Sequence, residues 1–460
     1  MKHLSACLLV LMLFITSVAY GSKRHFPEDV DDIPSAQLRY IDYVYVSGIK
    51  SVELYNTSKE QSMPIYKLGS GESIRLAFDD LRPGTGRTIY YSVEHCDANW
   101  NSSLLSPMDY LESFAEDQII NYNYSFNTFQ KYIHYELKFP NMIVRPKISG
   151  NYLLKVYENG DPSKLLLTKR FYVLNPMVGV HAEVTASSQV DERAKRQKLN
   201  LSLVYAQLTI QDPNRDIKVF VLQNRRYDVS QTVDRPSFFQ PNELLYEDPS
   251  SFDFEGSNQF RHFDIRSLRF MSDHVSTISR DSTSNDLFKV VLLRDIPWGN
   301  DSYSFNYDEH GKFYIRNTDD GAPNFRVKSG DRKIPAELDA SLNSHLNADY
   351  ANIFFSFITN RLSDTGNVYI VGAFNNYQIS DDYKMIYNGK DRSFTISLLL
   401  KQGVYDYHYV WVDNNKIDNT IFDGSFFETS NNYEILVYYR QVGARWDDLV
   451  GFNTASSAGK

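Results

Sequence analysis

An all-β chain of tandem β-sandwich domains is predicted here by three observations. Segments that alternate apolar and polar residues with a period of two recur through most of the 460 residues. Turn-forming residues punctuate them at short intervals. Amphipathic stretches of helical period are scarce, which leaves sandwiches as the way to bury one face of each strand. The 33 tyrosines fit this reading, because tyrosine packs well on a pleated, half-buried surface and is also enriched at protein interfaces.

In chain order, Lys2 and His3 precede an apolar run from Leu8 to Val18. That run is shorter than the roughly 20 residues a membrane-spanning helix needs. Ala19 and Gly21 carry the small-x-small spacing that precedes signal cleavage, so residues 1–21 are read as a signal peptide and the mature chain as beginning near Ser22. Leu4-Ser5-Ala6-Cys7 has the residue types found around a lipidated cysteine, but no apolar segment precedes Cys7, so it is read as part of the signal. Cys96 then stands alone, and one cysteine closes no internal disulfide.

A first domain is expected over 37–175. Its strands include Tyr40 to Val46, Ser73 to Phe78 and Thr88 to Val93, and it ends in a hairpin of Tyr152 to Tyr157 and Leu165 to Val173. Asn175-Pro176 reads as a joint, since proline donates nothing to a ladder. A second β domain is expected over 176–345, with strands at Leu199 to Leu208, Ile217 to Gln223, Phe260 to Ser267 and Phe288 to Leu293, followed by a polar extension and linker. A third is expected over 352–440, with strands at Ile353 to Phe357, Val368 to Gly372, Ser393 to Leu399, Gly403 to Val412 and Tyr433 to Tyr439. Residues 441–460 read as a tail, disordered from Thr454 onward. That tail is unlike the amphipathic strand expected to end an outer-membrane barrel, and no later segment reads as a membrane helix, so direct membrane insertion is not expected.

The formal net charge is -9, with acids and bases interspersed, a surface that repels phosphate backbones; no nucleic-acid partner is expected. No glycine loop of the phosphate-binding type and no paired-histidine zinc motif occurs. In His95-Cys96-Asp97, adjacent strand residues point to opposite faces and do not converge on an ion. Gly69-Ser70-Gly71-Glu72-Ser73 lacks the spacing of a nucleophile elbow. Carboxylate pairs for glycosidic chemistry leave no spacing rule in sequence, so a hydrolase is the weakest of the readings. The expectation is therefore a non-enzymatic chain with no catalytic residues, cofactor, metal or small-molecule substrate.

Two regions offer groups suited to recognition. In Gln259 to Arg266, Phe260, Asp264 and Arg266 share one strand face while Arg261 and Phe263 share the other. The structural alternative is that Asp264 pairs with an arginine at the edge of the core. The second region is Val368 to Tyr377 followed by Gly403 to Asp413, in which Phe374, Tyr377 and Trp411 are candidate contacts; the alternative makes Phe374 core and Asn375-Asn376 a turn.

The runs ending in Gly372-Ala373-Phe374-Asn375 and in the alternating tyrosines of Tyr405 to Tyr409 resemble the early-set, immunoglobulin-like modules attached to starch and glycogen enzymes. Those modules commonly have tryptophan where Tyr377 stands. This resemblance implies an early-set immunoglobulin-like fold for 352–440, and a periplasmic glycan-binding module protein as the alternative function. Asn151 to Val156, Arg170 to Val173, Ile217 to Asn224, Pro241 to Leu244 with Tyr246, and Asn258 to Leu268, taken as an ordered series, resemble the plug proteins of the Bacteroidota type IX secretion system. That second resemblance implies a periplasmic protein, held at the outer membrane by its partner, that binds the periplasmic end of an SprA-type outer-membrane translocon barrel and seals it while no cargo passes.

Overall fold

The computed structural model describes residues 33–281, 283, 286–299, 303–319 and 344–457. Met1–Pro34 forms a unit of its own in which only Ile33 and Pro34 are described, so the expected signal peptide at 1–21 lies outside the described residues. Ser35–Lys460 is one compact unit. Among the described residues it is built almost wholly of small sheets with mostly antiparallel pairing, and the short helices Pro107–Tyr110 and Pro213–Asp216 are single turns. This is the sandwich-type, all-β architecture that the alternation predicts. No helix among the described residues is long and apolar enough to cross a membrane.

Two sheets form the N-terminal part. One runs in the order Tyr43–Val44, Leu165–Leu174, Gly150–Glu158, Ile89–Cys96, Glu116–Gln118, and the other Ile49–Asn56, Ile74–Asp80, Ile133–Phe139, Tyr122–Tyr124. In Ile89–Cys96 the residues Ile89, Tyr91 and Val93 are buried while Tyr90, Ser92 and Glu94 are half-buried, the alternation of a strand with one face on a core. Phe139 of one sheet meets Phe171 of the other edge-to-face at 5.0 Å.

The next two sheets share a core. Gly179–Ala186, Arg196–Val204, Glu243–Tyr246 and Phe238–Gln240 form one, and Arg226–Val233, Ile217–Gln223, Asn432–Tyr439 and Asp448–Ser456 the other. Leu199, Leu201, Val219, Val221, Ile435 and Val437 pack between them. Enclosed in sequence between these strands is a third pair of sheets. Gly403–Asp413 binds Arg261–Asp264, Phe313–Ile315 and Asn367–Val371, and faces a sheet ordered Val275–Ser279, Phe288–Leu292, Tyr350–Ile358, Ser393–Lys401, Ile386–Asn388.

This pairing crosses the expected boundaries at 176–345 and 352–440. Arg261–Asp264, Phe288–Leu292 and Phe313–Ile315, expected in the second domain or its extension, belong to the sheets of the third. Asn432–Tyr439, expected to close the third, pairs with Ile217–Gln223. The expected tail at 441–460 contains the strand Asp448–Ser456, which pairs with Asn432–Tyr439 along its length, so the disorder expected from Thr454 is corrected for Thr454 to Ser456. The physical reason is that Asn432–Tyr439 is apolar on both faces. Tyr433, Ile435 and Val437 enter the shared core, while Leu436 and Tyr438 meet Trp100 and Tyr172 of the N-terminal part. Such a strand needs partners on both sides, and backbone hydrogen bonds recruit Thr454 to Ser456 whatever their side chains.

Candidate functional site

Most of the candidate contact residues are internal. Phe263 is fully buried and stacks on Tyr405 at 5.3 Å. Arg261 is buried as well. Its guanidinium donates to Asp423 Oδ1 at 2.6 Å, Asp295 Oδ1 at 3.2 Å and the Ile296 carbonyl at 2.9 Å, and it lies over the Trp298 ring. Asp295 also accepts from the hydroxyls of Tyr407 and Tyr409, at 2.7 and 2.8 Å. Burial alone raises the Asp295 carboxyl, but the His274 imidazole, its Nε2 3.2 Å away, together with the Arg261 charge and the Tyr407 bond outweighs that and holds it below the usual carboxylate range. Asp264 is buried and takes a two-pronged contact from Arg266, whose side chain reaches the surface.

Phe260 is buried, and its backbone N–H donates to Asp308 at 2.7 Å. Trp411 is buried with its ring edge-on to Phe394 and Phe422. Phe374 is half-buried, and Asn376 adopts the left-handed conformation of a turn at φ 54°. Tyr377 is half-buried, donates its hydroxyl to the Gly311 carbonyl at 2.8 Å and has the Arg226 guanidinium 4.6 Å from its ring centre. An interface residue needs surface to give up. Phe260, Arg261, Phe263, Asp264 and Trp411 have almost none, so the expectation that they form a contact surface is corrected for these five.

A buried polar network between the N-terminal sheets and the third pair went unread in the sequence. Asp79, the penultimate residue of Ile74–Asp80, is fully buried. It accepts from Lys401 Nζ at 2.6 Å, the Tyr350 hydroxyl at 2.7 Å and His134 Nδ1 at 2.7 Å. Burial works to raise its carboxyl, and the Lys401 ammonium with the His134 bond reverses that, leaving the group below the usual range. His134 stacks on His345 at 5.1 Å, and burial lowers both imidazoles so that they are neutral near pH 7.

Beside them, Glu53 accepts from Gln61 Nε2 at 2.8 Å and has its second oxygen 3.6 Å from His345 Nδ1. Burial pushes the Glu53 carboxyl from 4.5 up to about 7, with Arg75 opposing. Between those values the folded protein keeps a proton that the unfolded chain has lost, so the penalty from Glu53 grows as pH rises through this window and is complete above it. Glu53→Gln, which fixes the neutral shape, is expected to gain about 2–3 kcal/mol over wild type at pH 8 and almost nothing at pH 4. Urea midpoints of the two proteins across that range check it, and a pH-independent difference would refute it.

On the N-terminal part, exposed apolar residues stand on the helical turn Pro107–Tyr110 with the segment after it and on the facing segment around Met142, which are hydrogen-bonded to each other. Phe114 N donates to the Ile143 carbonyl at 3.1 Å, Glu112 N to the Arg145 carbonyl at 2.9 Å, and Lys147 Nζ to the Met108 carbonyl at 2.6 Å. Met108 and Met142 are 82% and 85% exposed, Phe114 is 65% exposed, and Ile143 is partly so. Among the described residues no group of three or more His, Cys, Asp or Glu side chains is arranged to hold a metal ion.

Residues 49–175, which carry this patch together with Asp79 and Glu53, match the family described as type 9 secretion system plug protein 1st domain. A crystal structure of a hypothetical protein from Parabacteroides merdae is 29% identical, with a TM-score of 0.81 over 91% of this chain and 100% of that one. The Pseudomonas fluorescens alkylpurine DNA glycosylase AlkC bound to DNA with an abasic site analog, 13% identical over 27% of this chain and 30% of its own, has a TM-score of 0.16 and carries no argument. No curated protein matches. The N-terminal region of this chain therefore matches the plug protein domain family of type 9 secretion, and the Parabacteroides merdae structure supports that assignment.

Proposed function

We propose that this chain is a non-enzymatic plug subunit that binds the periplasmic end of the type IX secretion translocon, an SprA-type outer-membrane barrel, and seals it while no cargo passes. The observation that carries the reading is the match of residues 49–175 to the plug protein's first domain. In this reading the chain is periplasmic, and its three sandwiches are immunoglobulin-like with the third, an early-set unit, inserted into the second. A stopper has to be stiff. The buried tie between Asp79 and Lys401, 322 residues apart, and the shared core of Trp100, Tyr172, Leu436 and Tyr438 support a rigid body.

The docking face in this proposal is the patch of Met108, Phe114, Met142 and Ile143, because exposed apolar patches of this kind mark contacts with partners. Purification of the tagged chain from detergent-solubilised outer membranes is expected to bring the barrel with it. Met108→Asp combined with Met142→Asp is expected to lower the recovered barrel roughly tenfold or more, with the melting temperature unchanged. Absence of the chain from every translocon complex would overturn the proposal. For the alternative of glycan binding, Tyr377 and Trp411 offer no open ring face, since Arg226 lies against the Tyr377 ring and Trp411 is buried.

A further inference from the structure

A cleft of about 420 Å³ separates the segment Tyr43–Val52 from the strand end Ser397–Lys401, with Phe313, Phe374 and Tyr405 also lining it. Its walls are unusual in being made of consecutive residues. Neighbours on a strand point their side chains to opposite faces, so a cleft touched by Ser397, Leu398, Leu399, Leu400 and Lys401 in succession runs along the edge of the sheet rather than over one face.

That edge is open. Ser393–Lys401 pairs with Tyr350–Ile358 in unbroken register on one side. On the other side Ile386–Asn388 covers only Ser393 to Thr395, and among the described residues no strand pairs there with Ile396 to Lys401. The Gln402 N–H donates to the Asp349 carbonyl, so alternate residues counted from it turn their N–H and C=O away from the cleft; Ser397 and Leu399 face it, while the Lys401 carbonyl is taken by the Tyr405 hydroxyl at 2.6 Å. Opposite stand two further outer strands, Tyr43–Val44 and Ile49–Asn56. The second is blunted by a register shift between Lys50 and Glu53 and by Ser51 at φ 50°, which leaves the Ile396 to Lys401 edge as the regular one.

We propose that this cleft receives an extended segment of a partner polypeptide, added as a short strand to the edge of Ile396 to Leu400 through the backbone groups of Ser397 and Leu399. Free strand edges are normally covered or blunted, and the groups offered here are backbone donors and acceptors at strand spacing, which an extended peptide satisfies and a compact small molecule does not. The walls are tied to each other by the Ser51–Tyr350 hydroxyl contact at 2.7 Å, the Lys169–Asn376 bond at 2.9 Å and the Gln378 amide on the Asp42 carbonyl. A cleft held open in this way asks for little reordering on binding. Phe374, Leu398 and Tyr405 favour apolar side chains on one face of the peptide, and Lys50 and Asp382 offset each other, so no net charge is selected. This inference does not depend on the plug reading.

Random short peptides displayed on phage and selected on the purified full-length chain supply the probe. Recovered peptides are expected to slow hydrogen exchange at amides within Ile396 to Leu400. N-methylation of one alternate set of their residues is expected to weaken binding roughly tenfold or more, with the other set tolerated. Failure to enrich any peptide, protection confined to other segments, or equal effects of the two methylated sets would each overturn the proposal.

Discussion

Lys401→Met is expected to cost about 3–5 kcal/mol of stability, because it strips a buried carboxylate of its counter-ion. Lys401 and Asp79 are both fully inaccessible, and the ammonium also donates to the His345 carbonyl at 2.7 Å and sits over the Tyr132 ring. In the variant Asp79 keeps its bonds to His134 and Tyr350 but no compensating charge. His134 is then the nearest group able to supply one. Burial holds its imidazole below 6.5 in the wild type, whereas an unpaired Asp79 raises it. A raised histidine stabilises below its unfolded value and loses that contribution as pH rises through its folded value. The loss caused by Lys401→Met should therefore be smaller at pH 5 than at pH 8. Adding Asp79→Asn should recover part of it at pH 8, since removing both charges is milder than orphaning one. Urea denaturation of the single and double variants at both pH values provides the check. A Lys401→Met protein as stable as wild type at pH 8 would mean that the ion pair does not hold these sheets together.

The class of fold was legible because it depends on local pattern. Ile89 to Cys96 shows its alternation in sequence and keeps it in the structure, and Asn375-Asn376 reads as a turn and forms one. Strand partnership was not legible, because it is decided across the chain. Nothing local in Ile217–Gln223 says that its neighbour is Asn432–Tyr439, and a strand apolar on both faces has no period to show which core it serves. The same limit hid the buried network. Asp79 directly follows the strand read over Ser73 to Phe78 and Lys401 follows three leucines, which in sequence reads as two ordinary strand ends reaching solvent. Their pairing exists only once two sandwiches meet. The candidate contacts erred in the opposite direction, since a run mixing aromatic and charged residues looks the same whether it faces a partner or encloses an internal ion pair.

Arg261 decides between those two meanings. If the stretch from Phe260 to Arg266 served a partner, Arg261→Met would weaken binding and leave the fold alone. The geometry requires the reverse. Asp295 and Asp423 share this one guanidinium, and its removal leaves Asp423 without a counter-ion and Asp295 with only His274 beside it, with a loss of about 3–5 kcal/mol. Arg261→Lys should recover only part of the loss, because a single ammonium carries the charge but cannot reach Asp295, Asp423 and the Ile296 carbonyl together as the planar fork does. Protonation offers the variant relief. Asp295 is held below its usual range in the wild type, and without Arg261 its carboxyl rises, so the deficit of Arg261→Met should shrink as pH falls toward that raised value. Denaturation midpoints at pH 5 and pH 8, followed by near-ultraviolet dichroism of Trp298 beside the guanidinium, measure both effects. Full stability of Arg261→Met with loss of a binding partner would return this strand to the surface role that its sequence pattern first implied.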